Sequence, residues 1–99
     1  MAKINDDRTA AEKSTHRYLV VGTDRCLSGW GGATGGASFA AWACEGYNDA
    51  KKAEKWVRSR SDMTRVRIVV DSAQSPYRPG RSCAHLHVYV ARPGHPALG

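Results

Sequence analysis

The segment 83–91 alternates in character more cleanly than any other part of the chain. One set of alternate residues is apolar (Ala84, Leu86, Val88 and Val90), and the other set includes His85, His87 and Tyr89. A period of two is typical of a β-strand whose two faces have different surroundings. Because a lone strand is not stable in water, this segment needs partner strands from the rest of the chain. The sequence therefore predicts a domain built around a sheet.

Three further segments have the composition of strands. Residues 18–21 are β-branched or aromatic and end at Gly22, residues 37–44 are apolar between turn-forming boundaries, and residues 65–70 begin as an Arg/Val alternation. Glycine-rich or proline-containing loops separate the first strand from the second and the third from the last. The pattern predicts four strands that pair as two hairpins.

A helix is predicted between the second and third strands, from a cap at Asn48 or Asp49 to about Ser61. Its apolar residues recur at steps of three and four and so share one face: Ala50, Ala53, Trp56 and Val57. The predicted fold is α+β, a four-stranded antiparallel-type sheet (β-β-α-β-β) with one helix packed on one face. Residues 17–93 form this single domain, between a flexible N-terminal tail (1–16) and a C-terminal tail (94–99).

Alternation also predicts which side chains lie on each face of the sheet. The face under the helix takes the apolar residues Val66, Ile68, Val70, Ala84, Leu86, Val88 and Val90. The open face carries Arg65, Arg67, His85, His87 and Tyr89. Either Phe39 or Trp42 joins the open face, because the register of the second strand is undecided.

Composition limits the classes of function. Fifteen Lys and Arg against nine Asp and Glu give a formal charge of +6, which favours polyanionic partners. No apolar run approaches the ~20 residues that span a bilayer, and residues 1–16 lack the apolar core of a secretory signal. We therefore expect a cytoplasmic protein with no membrane partner. Three cysteines without a C-x-x-C pair argue against a disulfide framework and a zinc knuckle.

The pair His85 and His87 is the first candidate for chemistry, since residues i and i+2 of a strand share a face. Cys83 lies on the same face, and a further metal ligand would have to come from Cys44, His16 or Asp71. However, Cys83 and His87 lie about 14 Å apart by the strand rise, too far to converge on one ion. A paired-histidine phosphoesterase would need a second copy of the motif. We predict no metal, no cofactor and no catalytic residues, with the two histidines at a surface or interface.

The glycine-rich segment 29–36 follows a strand, as phosphate-binding loops do. It lacks the G-K-[ST] ending, and the segment after it has the pattern of a strand, so no helix N-terminus is available to a phosphate. We predict a hairpin loop with Trp30 near its tip. An exposed tryptophan in such a loop is a candidate anchor for a protein partner.

Basic side chains form the last group of candidates. Four lie along the predicted helix (Lys51, Lys52, Lys55 and Arg58), and Arg60, Arg65, Arg67, Arg78 and Arg81 cluster after it. A solvated helix exterior explains the first four as well as nucleic-acid contact does. Arginines, histidines and aromatic residues on an open sheet are what RNA-binding sheets use. A homodimer that buries the same face is the alternative.

Three stretches resemble small uncharacterised proteins carried by phages and mobile elements of proteobacteria: RYLVVGTDR (17–25), AAWAC (40–44) and CAHLHVYV (83–90). The resemblance covers residues 17–96 and brings no motif with an assigned role. Small proteins of that gene pool often resemble inhibitors of bacterial defence, including anti-CRISPR proteins. The resemblance implies a non-enzymatic protein that binds a protein or ribonucleoprotein complex of the host, such as a CRISPR effector complex, and blocks it.

Many such inhibitors are acidic mimics of DNA, and the +6 charge departs from that pattern. The expected target is therefore an acidic or RNA-lined surface. The alternative function is that of a basic RNA- or DNA-binding regulatory protein.

Overall fold

The computed structural model describes residues 3–24, 37–60, 63–72, 74–77 and 83–99. This part of the chain is an α+β fold with one mixed sheet of five strands and two α-helices. The elements, in chain order, are β1 (Lys3–Asp6), α1 (Ala10–Thr15), β2 (Tyr18–Asp24), β3 (Ala37–Cys44), α2 (Tyr47–Ser59), β4 (Met63–Val70), β5 (Cys83–Val90) and a 3-10 helix (Pro96–Leu98). Within the described residues, no helix is long and apolar enough to span a bilayer.

The strand order is β1-β5-β3-β2-β4. β2 is antiparallel to β3 and to β4, as a hairpin of the first two predicted strands requires. β5 is parallel to both β1 and β3, so the second predicted hairpin, and with it the antiparallel four-stranded sheet, is wrong. The physical reason is the connection of twelve residues, 71–82, between β4 and β5. A connection of this length can cross the sheet and return the chain in a parallel direction.

The flexible tail predicted over residues 1–16 is also wrong where the structure describes it. β1 pairs with β5 from Lys3 opposite His85 to Asp6 opposite Val88. α1 begins with a capping box, in which the amide of Glu12 donates to the hydroxyl of Thr9 (3.1 Å) and the amide of Thr9 donates to the carboxylate of Glu12 (2.9 Å). This reciprocal pair satisfies two amides that a helix start otherwise leaves open.

Helix α2 packs over β2, β3 and β4 and buries the predicted apolar face. Ala50, Ala53 and Val57 are fully buried, and Trp56 is half-buried. The predicted cap at Asn48 or Asp49 is wrong, because α2 already begins at Tyr47, with Gly46 as the N-cap and no side-chain cap. The core under α2 consists of Val20, Trp42, Cys44, Ala50, Ala53, Val57, Met63, Ala91 and Ala97.

A second core lies on the sheet face away from α2. It consists of Leu19, Val21, Ala41, Ala43, Leu86 and Val88, with Phe39, Val69 and Tyr77 packed against it. The predicted orientation of β5 is therefore reversed: Leu86 and Val88 face away from α2, and Tyr89 lies on the same side as Trp42 under α2. Alternation tells which residues of a strand share a face, but it does not tell which face a helix covers when both faces are buried.

The open face predicted to carry arginines beside histidines does not form. Arg67 lies on the face away from α2, where it donates to the hydroxyl of Tyr77 (3.2 Å), whereas His87 lies on the α2 side. Arg65 falls out of line with Arg67, because β4 has one extra residue opposite Gly22 and Arg65 adopts a positive φ of 54° there. Such a bulge interrupts the alternation that the prediction assumed.

Glu12 also joins α1 to the end of β5. Arg92 donates to both of its carboxylate oxygens, at 2.7 and 2.9 Å. These hydrogen bonds lower the pKa of the Glu12 carboxyl to about 2, and the hydrogen bond from the Thr9 amide makes the next largest contribution. The pair is bidentate and connects residues from the two ends of the chain.

The Glu12 pair predicts a loss of stability in acid. Because the folded pKa is below the ordinary value of 4.5, the contribution of Glu12 is complete above about pH 4.5 and is lost as the pH falls towards 2. Glu12→Gln is expected to lower the urea midpoint of unfolding at neutral pH and to reduce the difference between neutral and acid midpoints. Glu45→Gln, at an exposed carboxylate with no ion pair among the described residues, is the control. Equal acid sensitivity in both variants would contradict the prediction.

Candidate functional site

A cleft opens on the α2 side of the sheet, because α2 covers β2, β3 and β4 and leaves β5 partly uncovered. Its volume is about 320 Å³. We call it the aromatic cleft, and its principal lining residues are Trp42, Trp56, Arg60, Met63, Tyr89 and His95. These residues come from β3, α2, β4 and β5 and from the segments after α2 and β5.

The rings of the cleft are positioned by the sheet register. Trp42 of β3 is the register partner of Tyr89 of β5, and their rings stack with centroids 5.5 Å apart. His87, two residues before Tyr89 on the same face of the strand, stacks with the tyrosine at 4.1 Å. Trp56 of α2 meets Trp42 edge-on at 5.8 Å, and His95 meets Trp56 edge-on at 5.5 Å. The result is a continuous wall of five rings, of which all except His87 line the cleft.

Arg60, immediately after α2, adds a positive charge to this wall. Its guanidinium carbon lies 5.1 Å from the ring centre of Trp56 and 5.6 Å from that of Trp42, within the range of cation–π interaction. Trp42 is 4% exposed and forms the floor, whereas Tyr89 is 40% exposed at the mouth. The aromatic cleft therefore combines flat apolar surfaces with a cation and is open to solvent.

Four cations lie on the exposed surface of α2, as the sequence predicts, and we call them the cationic row: Lys51, Lys52, Lys55 and Arg58. Glu54 pairs with Lys51 and with Arg58, each at 3.3 Å. Lys52 and Lys55 have no ion pair among the described residues. Lys52 precedes Trp56 by four residues, so it lies one turn away on the side of α2 that borders the aromatic cleft.

The acidic side chains near the N-terminus form ion pairs with cations outside the cationic row. Asp6 and Asp71 bind the buried Arg8, and Asp7 binds His87 with 2.8 Å between Oδ2 and Nε2. Glu12 is held by Arg92, as described above. Because these carboxylates are matched to other cations, they do not neutralise the cationic row. The four cations of the row outnumber the two carboxylates of α2, Asp49 and Glu54, so the helix carries a net positive charge.

The candidate metal ligands are dispersed. Cys44 is buried under α2, where burial, aided by the charge of Asp49, raises the pKa of its thiol to about 12. His16 is buried beside Thr15, and Asp71 binds Arg8. Among the described residues no group of three or more His, Cys, Asp or Glu is placed to hold a metal ion. The side chain of Cys83 lies outside the described residues, and the absence of a metal remains a prediction.

The structure brings only some of the predicted site residues together. It groups the cationic row on α2, and it places His87 and Tyr89 in the ring wall, with His85 half-buried on the same strand. Arg65 and Arg67 lie on β4, at the opposite edge of the sheet. Trp30, Arg78 and Arg81 lie outside the described residues.

Sequence reasoning missed His95 as a site residue and used Trp56 only as a core residue. It named Trp42 only as an alternative to Phe39 on the open face, and Arg60 only among the basic residues that follow the helix. The available signal was the four-residue step from Lys52 to Trp56 to Arg60, which puts the three side chains on one side of the helix. The contact of Trp42 with Tyr89 had no such signal, because it depends on the parallel pairing of β3 with β5.

A second cleft, of about 340 Å³, lies between α1 and the segment after β4. Arg8 and Asp71 line it and are bonded to each other, whereas Lys13 and Arg17, which also line it, have no ion pair among the described residues. This cleft has no aromatic wall. The aromatic cleft with its neighbouring cations is the better candidate for a binding site.

Comparisons with known proteins add no assignment. No protein-family model matches the chain, and no curated protein and no solved structure matches it.

Proposed function

We propose that the protein is a non-enzymatic binding protein for RNA or DNA, and that its cationic row contacts the phosphates. The observation that supports this proposal is the row of exposed cations on one helix, in which Lys52 and Lys55 have no ion pair among the described residues. Contacts between such side chains and phosphates supply most of the affinity of sequence-independent binding. We expect the protein to act in the cytoplasm, without a cofactor.

The dimensions of the row fit a nucleic-acid backbone. Lys51 and Arg58 are seven residues apart, which corresponds to about 10 Å along a helix axis. One strand of duplex DNA carries a phosphate every ~3.4 Å along its axis, so the row can contact about three phosphates. For a single strand this number predicts a log–log dependence of affinity on salt with a slope near −2.

The first test removes the two cations that have no ion pair. The variant Lys52→Gln, Lys55→Gln is expected to bind single-stranded RNA on the order of tenfold more weakly at low salt, with a slope that falls by about 1.4 in magnitude. Fluorescence anisotropy of a labelled strand at several salt concentrations measures both quantities.

The matched control removes the same charge elsewhere. Lys13 and Arg17 are exposed on and just after α1 and do not belong to the cationic row, and the variant Lys13→Gln, Arg17→Gln is expected to keep the wild-type slope. Equal losses in both double variants would mean that binding follows net charge and not the cationic row. Wild-type dissociation constants above about 100 μM at physiological salt, for RNA and DNA alike, would refute the proposal.

We propose as a second candidate that this binding serves to inhibit a CRISPR effector complex of the host. The support is the resemblance to small phage-borne proteins, together with a cationic row suited to an RNA-lined surface. The expected result is co-purification with a guide-loaded effector and loss of target cleavage. The candidate is wrong if the protein binds none of a panel of effectors and if CRISPR clears phage fully when the protein is expressed.

A further inference from the structure

We infer that the aromatic cleft takes one unpaired nucleobase from the strand whose phosphates lie on the cationic row. The protein would then bind single strands in preference to duplexes. This inference rests on the proposed function, since it names the kind of nucleic acid that the same surface recognises. Three observations carry it: the size of the cleft, its position beside the row and the charge in its wall.

The size and shape of the cleft suit a single planar ring system. Its volume of about 320 Å³ is at the lower end of the range for small-molecule sites, roughly 300–1,000 Å³. Trp56 stands nearly perpendicular to Trp42 (80°), whereas the ring of Tyr89 is nearly parallel to that of Trp42 (22°), and all three line the cleft. Aromatic side chains of this kind bind unpaired bases by stacking, whereas the paired bases of a duplex are enclosed in its own stack.

The position of the cleft lets one strand use both sites. Lys52, Trp56 and Arg60 follow one another at four-residue steps, so they form a stripe along one side of α2 with about 6 Å between successive residues. The order in the stripe is cation, ring, cation. A strand that inserts a base against Trp56 therefore brings its neighbouring phosphates to Lys52 and Arg60. An extended single strand has the freedom to do this.

The charge in the wall selects the class of ligand. Arg60 lies over the rings of Trp42 and Trp56, at 5.6 and 5.1 Å, so a base that stacks on Trp56 takes the place that this planar guanidinium occupies. A cationic ligand such as a methylated lysine is disfavoured, because it would meet the arginine charge. A neutral base that is attached to phosphates gains both the stacking and the ionic contact.

The experiment compares strands that differ only in their bases. A Trp30→Phe background leaves Trp42 and Trp56 as the fluorescent reporters. An oligothymidylate is expected to quench this fluorescence and to bind about tenfold tighter than an abasic strand of the same length. Trp56→Leu is expected to remove this preference and to retain the binding of the abasic strand. Tyr47→Leu, at an exposed aromatic residue outside the cleft, is the control. Arg60→Met tests the same cleft if Trp56→Leu does not fold.

The outcomes separate the inference from the proposed function. Equal binding of the two strands without quenching, or tighter binding of a duplex, overturns the inference and leaves the proposed function intact. If neither strand binds, uridine monophosphate is titrated against the Trp30→Phe protein. Quenching by this mononucleotide then supports the cleft as a base site while the cationic row fails. No quenching overturns both. Displacement of the oligothymidylate by polyglutamate at equal concentration means an acidic protein partner and also overturns the inference.

Discussion

Arg8→Met is expected to lower the free energy of unfolding by about 3 kcal/mol, because it removes the cation from between two carboxylates. The side chain of Arg8 is only 6% exposed and lies 2.7 Å from Asp6 and 2.9 Å from Asp71. It also donates to the carbonyl oxygen of His16 (3.1 Å). After the substitution, Asp6 and Asp71 are left close together and mostly buried, with no opposite charge between them. Urea denaturation at neutral pH measures the loss.

The effect of Arg8→Met is expected to shrink in acid. Burial alone would raise the pKa of Asp6, but the hydrogen bonds and charge of Arg8 lower it more, so the folded pKa lies below 3.8. The contribution of Asp6 is therefore present above this pH and disappears as the pH falls below it. Arg17→Met, at an exposed arginine, is the control and is expected to change stability by less than about 0.5 kcal/mol. A similarly small change for Arg8→Met would contradict the prediction.

The Arg8 cluster also explains why the order of the N-terminal segment could not be predicted. The capping box of Thr9 and Glu12 is readable in the sequence. A helix of six residues is not stable by itself, however, and β1 has only four residues. Their order depends on an ion pair between Arg8 and Asp71, which lie 63 positions apart in the chain. No local pattern encodes a contact over such a distance.

Local patterns did predict the elements whose period is long and regular. The steps of three and four in α2 identified Ala50, Ala53 and Val57 as its buried face, and the alternation in β5 identified which of its side chains share a side. The neighbours of β5 were not predictable in this way. The strand order places β5 between β1 and β3 and away from β4, which precedes it in the chain, and this placement depends on the packing of both faces.

The two parts of the candidate site also differ in how far the sequence predicts them. The cationic row is contained in one helix, so helical spacing alone brings Lys52 and Lys55 together. The aromatic cleft is assembled from four separate segments, and its central contact, Trp42 with Tyr89, exists only because β3 and β5 run parallel in that register. Once the sequence is read as two hairpins, these two rings are assigned to different strand pairs. The error in topology therefore concealed the cleft.

The orientation of β5 is best tested on Leu86, which is 2% exposed in the core away from α2. Leu86→Ala is expected to lower the free energy of unfolding by about 3 kcal/mol, because it removes buried methyl groups and leaves a cavity. Tyr89→Ala removes a larger side chain from the other face of β5, where 40% of the tyrosine is exposed. It is expected to cost less than Leu86→Ala. Thermal or urea unfolding of the two variants makes the comparison.

The face that Leu86 occupies is decided by double-mutant cycles, since residues in contact couple and distant residues do not. Leu86 is the register partner of Phe39 on β3, and Phe39 packs against the core away from α2. Val57 belongs to α2 and to the other core. Leu86→Ala is expected to couple with Phe39→Leu by more than about 0.5 kcal/mol and to be additive with Val57→Ala within about that amount. The reverse result would put Leu86 under α2, and Tyr89 could then no longer stand in the wall of the aromatic cleft.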